Sequence, residues 1–341
     1  MNESPAQHVS HAAKAIKTVA VTGATGFVGR AIVRELVAKG YSVRALCRDR
    51  DKARRILPAD RAVTAIIGEV HDGKAPAELC KGADAVIHLI GILRPAGKGQ
   101  TFERMHIGAT RVMVEAAKQA GIDRFVHMSA LGAIIDHKAE YQRSKAEAEQ
   151  IVRRSGLDFT IFRPGLIHGP EGELTQLIKG WCTASIQPFI LIPYFARVVE
   201  HDEGAILGRI TMEAAQVAPV SDTDVAACFV ASLSRPQTVG EIYNLVGGEE
   251  LSFKSMLKFF QDNLPRADHA LPILPVPAPA AAIQAKIAKA LGMGSFLPFD
   301  EGMAWMAQDD STADNTKLTL HVGVSPRGFR ETAGAYVGQM T

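Results

Sequence analysis

Cysteine is scarce in this sequence and scattered: Cys47, Cys80, Cys182 and Cys228 form no Cys-x-x-Cys pair and no Cys/His cluster with metal-ligand spacing. No bound metal is expected, and the four thiols read as buried side chains in a reducing compartment. Long apolar runs are also missing. The best, 189–195, is broken by Pro193 and falls far short of the roughly 20 residues that span a bilayer, which excludes a transmembrane anchor. Residues 1–16 are polar and Ala-rich without the apolar core of a secretory signal, so they read as a mobile tail. A cytoplasmic location is the expectation, with peripheral association on the inner face of the cytoplasmic membrane left open. Nor is there an excess of one charge: 38 Lys and Arg against 36 Asp and Glu give a formal net charge of +2. Spread along the chain, this leaves no basic footprint for neutralising phosphates and argues against DNA and RNA as partners.

What the chain does contain is the balance of a folded globular protein, 47% hydrophobic and 22% charged, in 341 residues. That length accommodates one large domain and a smaller one. From Lys17 onward short apolar runs alternate with longer helical patterns, the signature of beta-alpha-beta units and a parallel sheet. Strands are expected at 18–22, 42–47, 63–67, 85–89, 125–129 and 158–162, with a further one at 241–246. Several are continuous Val/Ile/Ala runs, as required of strands covered on both faces. Helices are expected at 29–39, 100–120 and 141–155, and again at 220–233, whose Ser-Asp-Thr-Asp start supplies an N-cap and favourable dipole charge, and at 252–260. Residues 171–211 read as an insertion with a helix and a Pro-containing loop. Beyond a Pro/Ala-rich stretch at 270–281, a short helix at 281–291 would carry Ile283, Ile287 and Leu291 on one face. That face reads as core, with a membrane or partner contact as the alternative. The expected architecture is α/β: a doubly wound parallel sheet of the Rossmann type with a smaller, mostly helical C-terminal lobe. Its large domain runs over 17–170 and is completed by 212–247, leaving 171–211 and 248–341 for the smaller substrate or partner lobe.

Between the first strand and the first helix the sequence TGATGFVGR places Gly23, Gly26 and Gly29 at three-residue spacing. Gly23 permits a tight exit from the strand, Gly26 lets backbone approach a pyrophosphate, and Gly29 allows close packing. The helix N-terminus then offers free N–H donors and a positive dipole end to the anion. Thr25, Phe27 and Val28 complete this expected cradle. An NAD site of this kind places an acidic residue at the tip of the second strand to hold the ribose; here that strand ends in Arg48. Its guanidinium can pair with a 2'-phosphate and stack on adenine, with Arg30 and Lys52 adding charge, so NADP(H) is preferred over NAD(H). The alternative leaves Arg48 in solvent and gives the ribose to Asp49. Glu69 and Val70 at the end of the third strand are expected to flank the adenine, and Leu89, Ile90, Gly91 and Pro164 to line the remainder of the dinucleotide.

At the end of the fifth strand FVHMSALGA delivers Ser129, and YQRSK delivers Tyr141 and Lys145 one helical turn apart. On such a face Lys145 can lower the pKa of the Tyr141 phenol and bond the nicotinamide ribose. Tyr141 would act as general acid or base on a carbonyl or hydroxyl, with Ser129 orienting that oxygen. The competing interpretation is a solvated helix, because YQRSKAEAEQIVRR also carries the charge pattern of an exposed face. His88, His106 and His168 read as packed or solvated histidines, with His168 kept as a candidate substrate contact because it follows the RPG turn.

TGATGFVG, the Ser129, Tyr141 and Lys145 set, RPGLIHGP and PVSDTDVA resemble the extended and atypical short-chain dehydrogenase/reductases, the NAD-dependent epimerase/dehydratase-like enzymes. VHMSALGA, YQRSKAEAEQIVR, FRPGLIHGPEG and YNLVGGEELSF are most similar to the family of the nucleotide-binding accessory subunit of respiratory complex I and its bacterial homologues. The resemblance covers 18 to about 260. It implies bound NADPH, and in many members a cofactor-binding role without demonstrated turnover. Two departures stand out. Extended enzymes usually carry an asparagine where this chain has His106, and 188–216 does not follow the common pattern. Three functions are consistent with this: an NADP-dependent oxidoreductase acting on an unknown carbonyl compound, a non-turnover subunit that docks on respiratory-complex subunits, and a redox sensor.

Overall fold

The computed structural model describes residues 15–97, 99–201, 209–280, 283 and 309–341. In chain order it contains β1 (Thr18–Thr22), α1 (Phe27–Ala38), β2 (Ser42–Cys47), α2 (Arg50–Ile56), β3 (Val63–Ile67), α3 (Lys74–Cys80) and β4 (Ala85–His88). A π-helical turn, Glu103–Gly108, leads into α4 (Ala109–Gln119), followed by β5 (Arg124–Met128), α5 (Glu140–Arg153), β6 (Asp158–Pro164), β7 (Ile167–His168) and α6 (Glu173–Cys182). The second half has β8 (Ile192–His201), β9 (Arg209–Ala214), β10 (Gln216–Val217), β11 (Val220–Ser221), α7 (Asp222–Ser232), β12 (Glu241–Leu245) and β13 (Leu251–Ser252). It ends with α8 (Phe253–Asn263), β14 (Ile273–Pro277), α9 (Thr316–Val322) and α10 (Phe329–Val337).

Seven strands form the central sheet in the order β12-β6-β5-β4-β1-β2-β3, and every pairing is parallel. This is the expected doubly wound Rossmann sheet, with the strand order reversing between β1 and β4. Alternation along β1 shows why both faces must be covered. Val19 and Val21 join one core, with Ile32 and Leu36 of α1 and Phe229 of α7. Ala20 joins the other, with Leu79 of α3, Met113 of α4 and Val152 of α5. A third cluster lies away from the sheet, where Trp181 of α6, Ile192 and Tyr194 of β8, Phe260 of α8 and Phe329 of α10 pack together. α9 returns to the sheet, because Leu318 and Val322 belong to the α1/α7 core. The smaller C-terminal region therefore braces the large one.

Two segments differ from the sequence expectation for identifiable reasons. The stretch after α6, expected to be a Pro-containing loop, forms β8 and β9 in a three-stranded sheet ordered β14-β8-β9. Pro193 is tolerated there because it has no N–H to give and none is needed. Ile192 N donates to Pro272 O on the β14 side, so the Pro193 nitrogen faces the other side, where pairing with β9 starts only at Ala196. The helix expected over 100–120 opens with the π-helical turn around His106, an inserted residue that composition does not reveal. By contrast the anticipated cap of α7 forms, with Ser221 Oγ accepting from Asp224 N at 3.0 Å. Residues 1–14 of the expected tail and all but one residue of the 281–291 helix lie outside the described residues. Among the described residues no helix is long and apolar enough to cross a membrane, and the four cysteines are buried and unpaired.

Phe162 of β6 ties the sheet to α7 and β12, its ring centroid 4.6 Å from Phe229 and 5.7 Å from Tyr243. Phe162→Ala should cost about 3–5 kcal/mol, read as a lower urea midpoint at unchanged slope. A loss under about 1 kcal/mol would mean that the cluster closes over the gap.

Candidate dinucleotide and active site

The glycine turn leaves β1 at Gly23, whose φ of +69° favours glycine. A Cβ there would sit 3.2 Å from the Leu89 backbone, and one on Gly29 would sit 2.1 Å from Gly23 O. Gly29 is thus required by the turn itself, rather than by packing of the helix on the sheet. Gly26 N donates back to Gly23 O at 2.9 Å, and the exposed Gly26 is the N-cap of α1 without any side-chain cap. The first N–H groups of α1 therefore open beside a bare backbone at the switch point of the sheet, a cradle that suits a pyrophosphate. Thr25 and Phe27 are half-buried at its mouth while Val28 is buried. The Phe27 ring lies against the loop after β7, where Cβ atoms on Gly169 and Gly172 would meet it at 3.0 Å.

Arg30 departs from its expected role. Its Nε donates to Gly26 O at 3.2 Å and its Nη1 pairs with Glu171 at 2.6 Å, so it straps the loop to α1 instead of reaching a 2'-phosphate. At the tip of β2, Arg48 and Lys52 are exposed. Asp49 is the N-cap of α2, its Oδ1 accepting from Asp51 N at 2.8 Å and Lys52 N at 2.9 Å. These bonds hold its carboxyl below the usual range. Glu69 is exposed and Val70 buried at the end of β3. After β4, Leu89 N donates to Thr22 Oγ1 at 3.2 Å; Ile90 is half-buried and Gly91 exposed. Pro164 closes β6 and accepts from Leu131 N at 2.9 Å.

Tyr141 and Lys145 lie one turn apart in α5, and the structure brings Lys145 to the β4 loop: a Cβ on Gly91 would be 3.0 Å from Lys145 Nζ and 3.3 Å from His106 Nε2. Lys145 is 3% exposed and donates to Met128 O at 3.1 Å. Burial drives its ammonium down to about 8, opposed by Glu149. The Tyr141 ring stands edge-on to Phe102 and His106, and burial pushes its phenol up to about 12. The expectation of a phenol lowered by Lys145 is thus not met: the shift is upward, and desolvation is its cause.

The Oγ of Ser129 donates to Glu149 Oε1 at 2.5 Å. Glu149 is 2% exposed and is held in addition by Arg163, at 2.8 Å from Nε and 2.6 Å from Nη2. His168, the candidate substrate contact, has its ring nitrogens occupied. It is buried against Phe329, with Nδ1 3.0 Å from Tyr336 Oη and Nε2 3.2 Å from Thr332 Oγ1.

Of the neighbours of Lys145, sequence reasoning had His88 and His106 as packed or solvated histidines but missed His127 and Glu149. His106, where extended enzymes usually carry asparagine, bridges two elements through Ser144 Oγ on Nδ1 at 2.8 Å and the Ile92 backbone on Nε2. His88 and His127 stack at 5.5 Å in the sheet core. Burial drives all three imidazoles to neutrality, His88 to about 3 and His106 to about 2. The signal for Glu149 was available in its spacing, since it follows Tyr141 and Lys145 at i+8 and i+4 on one helical face.

Residues 23–180 match a protein family described as NAD(P)H-binding. A ceramide reductase of Caulobacter vibrioides is 37% identical over 152 residues, 45% of this chain and 47% of the reductase, so the chain spans about half of that relative's length. The mitochondrial NADH dehydrogenase (ubiquinone) 1 alpha subcomplex subunit 9 of Mus musculus is 26% identical over 282 residues, 82% of this chain and 68% of the subunit. Among solved structures, an NADPH-dependent quinone oxidoreductase of Escherichia coli complexed with NADPH superposes with a TM-score of 0.66 at 17% identity, covering 93% of this chain and 99% of that one. At that identity the likeness is one of fold. Residues 23–180 thus carry an NAD(P)H-binding match, and reductases and complex I subunits are among the proteins to which the chain is similar.

Proposed function

We propose that the chain is an NADP(H)-dependent oxidoreductase that reduces a carbonyl group, with Tyr141 as general acid and Lys145 as its charged partner. The observation that carries this reading is the placement of Lys145 Nζ beside Gly91, which joins α5 to the loop that continues from the glycine turn's neighbour Leu89. When bound, the dinucleotide supplies the hydride. The chain's own part is the proton. A phenol held up to about 12 keeps its proton until a carbonyl oxygen gains negative charge, and the neighbouring ammonium then stabilises the phenolate left behind. Ser129 is not assigned a catalytic role, because its hydroxyl is committed to Glu149.

The choice of NADP(H) rests on the tip of β2. Asp49 spends one carboxylate oxygen on capping α2, which makes it a poor partner for a ribose, whereas Arg48 is exposed and has no hydrogen bond or ion pair among the described residues. The regions 171–211 and 248–341 are assigned as the lobe that faces substrate or partner.

One observation favours a second reading. With Ser129 turned away, a substrate oxygen would meet a single donor, as in a subunit that keeps a dinucleotide as a clamp and docks on a respiratory assembly. The readings separate on one variant. As an enzyme, Tyr141→Phe should lose about 100- to 10,000-fold of NADPH-dependent reduction across a panel of ketones and quinones, with NADPH affinity retained. Wild-type protein that binds NADPH tightly, melts much lower without it and reduces none of the panel would replace the first reading with the second. For the cofactor, Arg48→Asp should weaken NADPH binding by about 10- to 100-fold in calorimetry and leave NADH nearly unchanged. Equal losses for both dinucleotides would show that Arg48 does not read the phosphate.

A further inference from the structure

Glu149 lies two turns below Tyr141 and one below Lys145, about 6 Å along the helix axis from the lysine. It is buried and, among the described residues, is the carboxylate that acts on Lys145. The groups that surround Lys145 are Tyr141 and Glu149 on its own helix, His88 from β4, His127 from β5 and His106 from the π-helical turn. Burial keeps the three imidazoles uncharged, and the phenol is uncharged as well. Lys145 has Met128 O as a neutral acceptor, which cannot offset the desolvation of an ammonium. The field of Glu149 acts in the opposite direction to that desolvation.

That field is shared. Arg163 grips both oxygens of Glu149 and Ser129 donates to one of them, so each draws negative potential away from Lys145. We propose that Glu149 is a positioning residue that sets the charge on Lys145, and that Arg163 and Ser129 limit how much of its field reaches the lysine. The proposal rests on Tyr141 and Lys145 being the reactive pair, since only then does the lysine's charge matter to the chemistry. It gives the Ser129 hydroxyl a purpose that does not involve touching substrate.

A purely mechanical role for the Glu149–Arg163 pair predicts something different. Removing both partners would then disturb the site at least as much as removing one. Electrostatics reverses that order. Glu149→Gln keeps the shape and an acceptor for Ser129, but deletes the anion and leaves Arg163 as an uncompensated cation near Lys145. The double variant Glu149→Gln/Arg163→Gln deletes the cation too, and so should return Lys145 part of the way.

The test uses the full chain labelled with 15N-lysine, without dinucleotide or substrate. The Lys145 Nζ signal is identified by its loss in Lys145→Arg and followed through a pH titration. The expected order of midpoints is wild type highest, double variant next and Glu149→Gln lowest, with the single variant down by about one pH unit or more. An unmoved midpoint in Glu149→Gln, or a double variant no closer to wild type than the single one, overturns the proposal. Should Glu149→Gln fail to fold, Ser129→Ala replaces it. Removing one of the two donors to Oε1, with Arg163 Nε retained, should then move the midpoint upward, and an unmoved or lowered midpoint overturns the proposal equally. Because no turnover is measured, a chain that proves to be a non-catalytic subunit can still pass or fail this test.

Discussion

Lys145 is an ammonium almost cut off from water, and the rest of the site is arranged around that difficulty. It is 3% exposed and has a carbonyl, Met128 O, as a hydrogen-bond acceptor. Desolvating a cation is expensive unless the surroundings answer it. Here the answer is distributed: a carbonyl at the end of β5, a carboxylate one helical turn deeper, and three histidines that burial keeps neutral, so that none adds a repelling charge. The same burial keeps the proton on Tyr141. The pair is therefore tuned by exclusion of water, and the helix that carries it must be held closely against β5 for that tuning to persist.

The glycine turn imposes a second constraint that meets the first at Gly91. A turn tight enough that no side chain fits on Gly29 brings Gly23 against the Leu89 backbone. Two residues later, Gly91 leaves Lys145 Nζ and His106 Nε2 facing the same small space. The glycine turn and Lys145 are thus joined through a short backbone segment after β4. Its position is fixed from below by Thr22, whose Oγ1 receives Leu89 N and lies 2.8 Å from His88 Nδ1.

Much of this architecture could be read from local pattern. The strands β1, β2 and β3 fall on 18–22, 42–47 and 63–67 as expected; β1 is buried almost throughout and reads as an apolar run, whereas β3, at the sheet edge and partly exposed, was marked by its Val and Ile residues. Gly23, Gly26 and Gly29 were legible because the turn admits little else. The short helices α2 and α3 were not, since Arg50–Ile56 and Lys74–Cys80 are too brief to establish a period. β8 hid behind Pro193, which is harmless only because of where β9 begins. Arg30 looked like a phosphate ligand until Glu171, far away in sequence, claimed it. Pairings of that kind are set by tertiary structure and leave no local trace.

Ser129 follows from strand parity rather than from its neighbours in the motif. Along β5, Phe125 enters the core shared with Val152 of α5, whereas Val126 enters the opposite one. Counting on by twos from Phe125 through His127 reaches Ser129, which therefore faces the body of α5 and not the rim of the sheet. The α5 residue waiting there is Glu149, reached at 2.5 Å. A serine at the end of β5 and a tyrosine and lysine on α5 were enough to suggest three residues converging on one substrate. Parity sends the serine inward instead, against the face of α5 that carries Tyr141, Lys145 and Glu149. What the serine touches is the carboxylate one helical turn beyond the lysine.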